Sequence, residues 1–263
     1  MTAIKRQQIL ERLTETLQAQ EYGYGLWSGG AMGFDRVDEW SEIDLIVIAA
    51  EEQVQDVFPV VAAVLETLAP IEIKYEVPQP AWHGHYQTFY RLRDASPYLL
   101  IHLAVMKFDN PDNHFLEAEI HGQPQVLFDK KGLTTSPPVD QEQLLRDIQT
   151  RIEQIRGRFE LFQVLVLKEL KRGNGIEAIS FYYKFTLRPL VELLRIHHCP
   201  LRNSFATRYL HYDLPLGILE KLEPLFHLSD QDELQQKYLV PTQWVKTLLA
   251  DFELDAVRNA LRR

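Results

Sequence analysis

Two carboxylates flank one apolar residue in Ser41-Glu42-Ile43-Asp44, and a β-branched run, Leu45-Ile46-Val47-Ile48, follows them. Upstream lies a glycine-rich turn, Ser28-Gly29-Gly30-Ala31-Met32-Gly33. Strand side chains alternate faces, so Glu42 and Asp44 point one way while Ile43 and Leu45 point into a core. Side-by-side carboxylates repel each other and need a cation or solvent to compensate them. A divalent metal meets that need, because Mg²⁺ takes hard oxygen donors and commonly uses one or two carboxylates plus substrate phosphates. A glycine turn in turn lets a phosphate chain approach backbone N–H groups closely. Alone, Ser28–Gly33 would be an ordinary loop; joined to the acidic strand, it suits chemistry on a phosphate ester.

This arrangement resembles the signature of the polymerase-β-type nucleotidyltransferases, a group that includes the aminoglycoside nucleotidyltransferases. Its pattern is a hydrophobic residue, a Gly-Gly or Gly-Ser turn, a spacer, and two acids separated by one apolar residue. Gly29-Gly30 match the turn, residues 31–41 the spacer, and Glu42 and Asp44 the metal-binding pair. The specific match covers residues 26–48. The resemblance implies a metal-dependent transferase, using Mg²⁺ or Mn²⁺, that moves a nucleoside monophosphate from a triphosphate, with ATP expected, to a hydroxyl of a small molecule or protein. It assigns Glu42 and Asp44 to the metal, and Ser28, Gly29, Gly30, Ser41 and Lys184 to the nucleotide. Two departures stand out. Glu42 is one methylene longer than the usual Asp. The third acid of the pattern, expected on the strand at 99–105, is replaced by His102, which would serve as general base or third ligand. The alternative is a catalytically inactive relative that binds nucleotide or a protein partner.

Other chemistry-bearing residues read more plainly. Gly23-Tyr24-Gly25 lacks the third glycine and the preceding strand of a dinucleotide site. His83-Gly84-His85 reads as a solvated loop. His197-His198-Cys199 sits at a helix end, where histidine complements the dipole and cysteine packs as a small hydrophobe. Lys184 and Arg188, at i and i+4 of one helix, are the cations within reach of a triphosphate, Arg188 reading first as solvated surface charge. The aromatic stretch 82–90 is a candidate acceptor contact.

The elements that must position these residues follow from hydrophobic periodicity. Helices are expected at residues 3–20 and 52–67, with strands at 43–48 and 71–76. A hairpin is expected from 88–93 and 98–106 around the turn Asp94-Ala95-Ser96-Pro97, with short strands near 118–120 and 125–127. Residues 134–138 read as a linker. Beyond it only helices are expected. One opens at an Asp140/Gln143 capping box and ends at Gly173. Others cover 176–197 and 215–226, and a last region opens at Ser229/Asp232 and is interrupted by Pro241. The fold class is α+β: a nucleotidyltransferase-like mixed sheet with flanking helices (1–133), then an all-helical bundle (139–263).

The composition agrees with a globular chain. Of 263 residues, 46% are hydrophobic and 25% charged. A net charge of −9 argues against a nucleic-acid partner. No apolar run approaches the ~20 residues needed to span a bilayer. The start shows no secretory core, and Cys199, the single cysteine, cannot close an internal disulfide, so a reducing cytoplasm is expected. Oligomeric state is not written in these features.

Overall fold

A computed structural model describes residues 5–79, 81, 84–109, 115–135 and 137–262. His83, Trp82 of the aromatic stretch 82–90, and Ser136 of the expected linker lie outside the described residues. The chain forms two compact units, Met1–Val139 and Asp140–Arg263. The first is a mixed sheet with flanking helices and the second is helical, giving an α+β protein. No helix among the described residues is long and apolar enough to cross a membrane.

In the first unit the order is α1 (Arg6–Gln18), β1 (Gly23–Ser28), β2 (Ile43–Ala49), α2 (Val57–Leu68), β3 (Ile71–Glu76), β4 (Tyr86–Leu92), β5 (Ile101–Lys107), α3 (Ala118–His121) and β6 (Gln125–Asp129). The sheet runs β3-β4-β5-β2-β1-β6. β2 is antiparallel to β1 and parallel to β5, with Asp44 aligned on His102. α1 and α2 cover one face, where Ile9, Leu13 and Leu17 meet Ile43, Leu45, Val47, Ile101 and Leu103. Alternation then sends Asp44, Ile46 and Ile48 to the other face, where Ile48 packs with Trp27.

Two local expectations need correcting. Residues 118–121 form a helical turn, not a strand. Four residues are too few for period 2 and period 3.6 to be told apart. Gly23 and Gly25 belong to β1, and α1 ends earlier, at Gln18. A Cβ at Gly23 would stand 2.9 Å from the Leu17 carbonyl oxygen, so that glycine permits a close approach of chain segments.

The second unit comprises α4 (Gln141–Arg172), α5 (Gly175–Tyr182), α6 (Arg188–His198), α7 (Leu210–Asp213), α8 (Leu216–Phe226), α9 (Gln231–Lys237), α10 (Leu239–Ala250) and α11 (Leu254–Leu261). α4 opens as expected: the Asp140 carboxylate accepts from the Gln143 N–H at 2.9 Å. It closes on Gly173, whose φ of 76° only glycine adopts at ease. The cap of α9 is Asp230, one residue beyond Ser229, and it accepts from Glu233 N–H. Pro241 falls in the first turn of α10, where a missing N–H costs no helical bond, so the break lies before it at Tyr238. Between α5 and α6 the helix widens into a π turn, Tyr183–Leu187. The core joins Ile148, Ile152 and Phe159 of α4 to Leu190, Leu194 and Val245.

Candidate functional site

β1 delivers the chain into a bend stitched to β2: the Gly29 N–H donates to the Asp44 carbonyl at 3.0 Å. Gly30 has φ 59°, and a Cβ built there would lie 1.9 Å from Asp44 Oδ2. The residue must therefore be glycine for two independent reasons, backbone conformation and space. Met32–Phe34 then closes a 3-10 turn. Gly29 spends its N–H on the sheet, whereas the N–H groups of Gly30 and Ala31 have no partner among the described residues. The glycine bend and the second acid, separate in sequence, are in contact.

Asp44 is paired on its other side. Its Oδ1 lies 3.0 Å from His102 Nδ1, across the parallel β2–β5 ladder. The two side chains are 17% and 22% exposed, so the pair is reachable but largely shielded. Phe89 on β4 stacks on the imidazole at 4.4 Å between centroids, with the planes 6° apart. His102 Nε2 is buried without a hydrogen-bond partner among the described residues.

Glu42 precedes β2 by one residue and is exposed. Its carboxyl is nonetheless pushed above the usual carboxylate range, first by partial desolvation and then by the negative charge of Asp44, against the pull of His102 and Arg6. Arg6, at the start of α1, donates to the carbonyls of Glu42 (2.6 Å) and Ser41. Burial lowers its pKa, while Asp44, Asp38 and Glu42 raise it. It stays protonated and forms the cationic edge of the acid pair. The Ser41 hydroxyl donates to Asp38 Oδ1 at 2.6 Å, which holds the loop before β2. Ser28, 1% exposed, is sealed at the end of β1.

The raised Glu42 carboxyl gives a testable sign. A carboxyl with a folded pKa above its unfolded value costs stability at pH above that folded value, and the cost vanishes below the unfolded one. Glu42→Gln is thus expected to raise the melting temperature at neutral pH, with the gain shrinking as pH falls through the carboxylate range. A melting series from pH 7 to pH 4 checks it, and a gain that grows toward acid would contradict it.

Among the described residues no group of three or more His, Cys, Asp or Glu side chains is disposed to hold a metal ion. Glu42, its carboxyl raised first by desolvation and then by the charge of Asp44, and Asp44 itself offer two hard oxygen donors of the kind an ion shared with substrate phosphates would use.

The remaining candidates lie elsewhere. Lys184 belongs to the π turn of the helical unit and is exposed, its Nζ 5.1 Å from the Phe185 ring centroid. Arg188 is exposed at the start of α6. Cys199 is buried, and burial pushes its thiol up. Arg6 and Phe89 escaped the sequence reading. Arg6 acts through backbone carbonyls, which no side-chain pattern reveals, and Phe89 was read as a strand residue within the aromatic stretch 82–90, without its stack on His102.

No protein-family model matches the chain, and no curated protein matches it. Among solved structures it is similar to a STING-associated CdnE c-di-GMP synthase from Capnocytophaga granulosa, at 12% identity over 95% of this chain and 83% of that one, with a TM-score of 0.31. A likeness at that level defines neither activity nor substrate for this chain.

Proposed function

We propose that the protein is a metal-dependent nucleotidyltransferase, moving a nucleoside monophosphate from a triphosphate, ATP in the first instance, to a hydroxyl acceptor. The observation that carries this reading is the convergence of Gly30, Asp44 and His102, with Glu42 beside them. Glu42 and Asp44 would hold a Mg²⁺ or Mn²⁺ ion, which when bound offsets the charge of the triphosphate. The N–H groups of Gly30 and Ala31 donate to phosphate oxygens. The acceptor oxygen bonds to the α-phosphorus, the bond from that phosphorus to the α–β bridging oxygen breaks, and pyrophosphate leaves. The hydroxyl proton passes to His102 Nε2, with Nδ1 held by Asp44.

The second reading, a nucleotide- or partner-binding relative without turnover, has one specific observation behind it: His102 Nε2 is shielded from solvent. Labelled ATP with Mg²⁺ or Mn²⁺ and a panel of hydroxyl acceptors separates the two. Transfer that falls at least a thousandfold in Asp44→Asn is the expected result, on the scale of losing a charge-stabilising group from an active site. Triphosphate binding with no turnover above that variant, under either metal, would leave only the second reading.

A further inference from the structure

We infer that the helical unit has a ligand site of its own, built for an organic anion with a flat apolar body. α4, the π turn, α6 and the segment 203–206 line an open cavity of about 640 Å³, inside the range of roughly 300–1,000 Å³ typical of small-molecule sites. Its apolar lining includes Ile155, Phe159, Phe162 and Phe185. Phe162 and Phe185 pack against each other at 5.0 Å between centroids with planes tilted by 34°, both half-buried, and give the lining an aromatic surface suited to a planar group.

The charge around these rings is one-sided. Arg151 is neutralised by Glu192, their second contact measuring 2.7 Å. Arg158, Lys184 and Arg188 also line the cavity, are exposed, and have no ion pair among the described residues. Asp147 is the one other acid in the lining. Three unpaired cations against one acid make a positive cavity in a chain of net charge −9. Such a lining repels polyamines and aminoglycosides and attracts phosphates or carboxylates.

The cavity wall is fixed in place. The wide π turn leaves the Phe185 carbonyl off the normal helical ladder, and Gln163 Nε2 donates to it at 3.0 Å. Gln163 Oε1 accepts from Thr186 Oγ1 at 2.8 Å and from the Tyr238 hydroxyl at 3.0 Å. Gln163 is 5% exposed and Thr186 0%. A saturated buried network therefore holds the turn that presents Lys184 and Phe185, and π turns of this kind are frequent at functional sites. The site uses no residue of the sheet unit and does not depend on transfer at Asp44. The resemblance assigns Lys184 to the nucleotide, so Arg158 and Arg188 carry the test.

Calorimetry on the full chain at low salt, with phenyl phosphate, inorganic phosphate, benzyl alcohol and spermine, decides it. Phenyl phosphate is expected to bind saturably, at least tenfold more tightly than inorganic phosphate, and more weakly as salt rises. Benzyl alcohol and spermine should not bind. The double variant Arg158→Ala/Arg188→Ala should weaken phenyl phosphate at least tenfold, with circular dichroism and melting unchanged because both side chains are exposed. Phe162→Ala should bring phenyl phosphate down to the level of inorganic phosphate. Asp44→Asn should change neither. Absence of saturable phenyl phosphate binding, survival of that binding in the double variant, or its loss in Asp44→Asn would overturn the assignment.

Discussion

Gly30→Ala is expected to destabilise the sheet unit by about 1–3 kcal/mol through the left-handed backbone alone, and to lower transfer by about a hundredfold through displacement of the second acid. The backbone at Gly30 has φ 59°, and the new methyl would stand 1.9 Å from Asp44 Oδ2 and 2.8 Å from its carboxyl carbon. Asp44 cannot simply swing aside, because its Oδ1 is paired with His102. The two effects separate in a double variant. Removing the carboxylate in Gly30→Ala/Asp44→Ala abolishes the clash and leaves the backbone cost, so stability measured by urea denaturation should recover in part while activity does not. Strict additivity of the two substitutions would mean that bend and carboxylate are energetically independent, and the proposed site would lose its foundation.

Asp213→Ala is expected to cost the helical unit about 3–5 kcal/mol, the usual consequence of leaving a buried charge without its partner. Arg195 and Asp213 side chains are both 0% exposed and meet at 2.9 Å. Arg202 adds a second bond to Asp213 at 2.8 Å. Arg195 also donates to the Ala206 carbonyl at 2.7 Å and to that of Arg208, so one guanidinium ties α6 to the irregular segment that follows it. Burial would raise the Asp213 pKa, but the hydrogen bonds and charges of Arg202 and Arg195 prevail and hold it below the usual carboxylate range. A depressed folded pKa contributes stability that is complete above the unfolded value and is lost as pH falls through the folded one. The difference between wild type and Asp213→Ala should therefore be full at neutral pH and shrink in acid. Arg12→Ala, which breaks an exposed pair with Glu15, should by contrast cost under about 1 kcal/mol. Equal losses from the two substitutions in urea titrations would refute the distinction.

Much of the fold was legible because its elements carry long, regular patterns. Ile43–Ala49 is β-branched, α1 has an unbroken apolar stripe, and Asp140 caps a helix of 32 residues. Legibility failed where a segment was short or its residues atypical. Gly23-Tyr24-Gly25 is a poor strand by propensity, and pairing with β2 and β6 overrides it. At the site, the bend and the two acids could be read because they fall within one pattern over residues 28–44, and the alignment of His102 because strand order predicted it. The stack of Phe89 and the reach of Arg6 depend on tertiary distances that sequence spacing does not encode. The π turn is likewise silent in the sequence, since residues 176–197 keep a continuous helical period through it.

The parallel β2–β5 ladder also has a bearing on synthesis. Asp44 and His102 are 58 residues apart in the chain, so a ribosome has delivered the bend and both acids well before the imidazole exists. A product truncated before β5 would therefore carry the bend and the acids without the imidazole that pairs with Asp44.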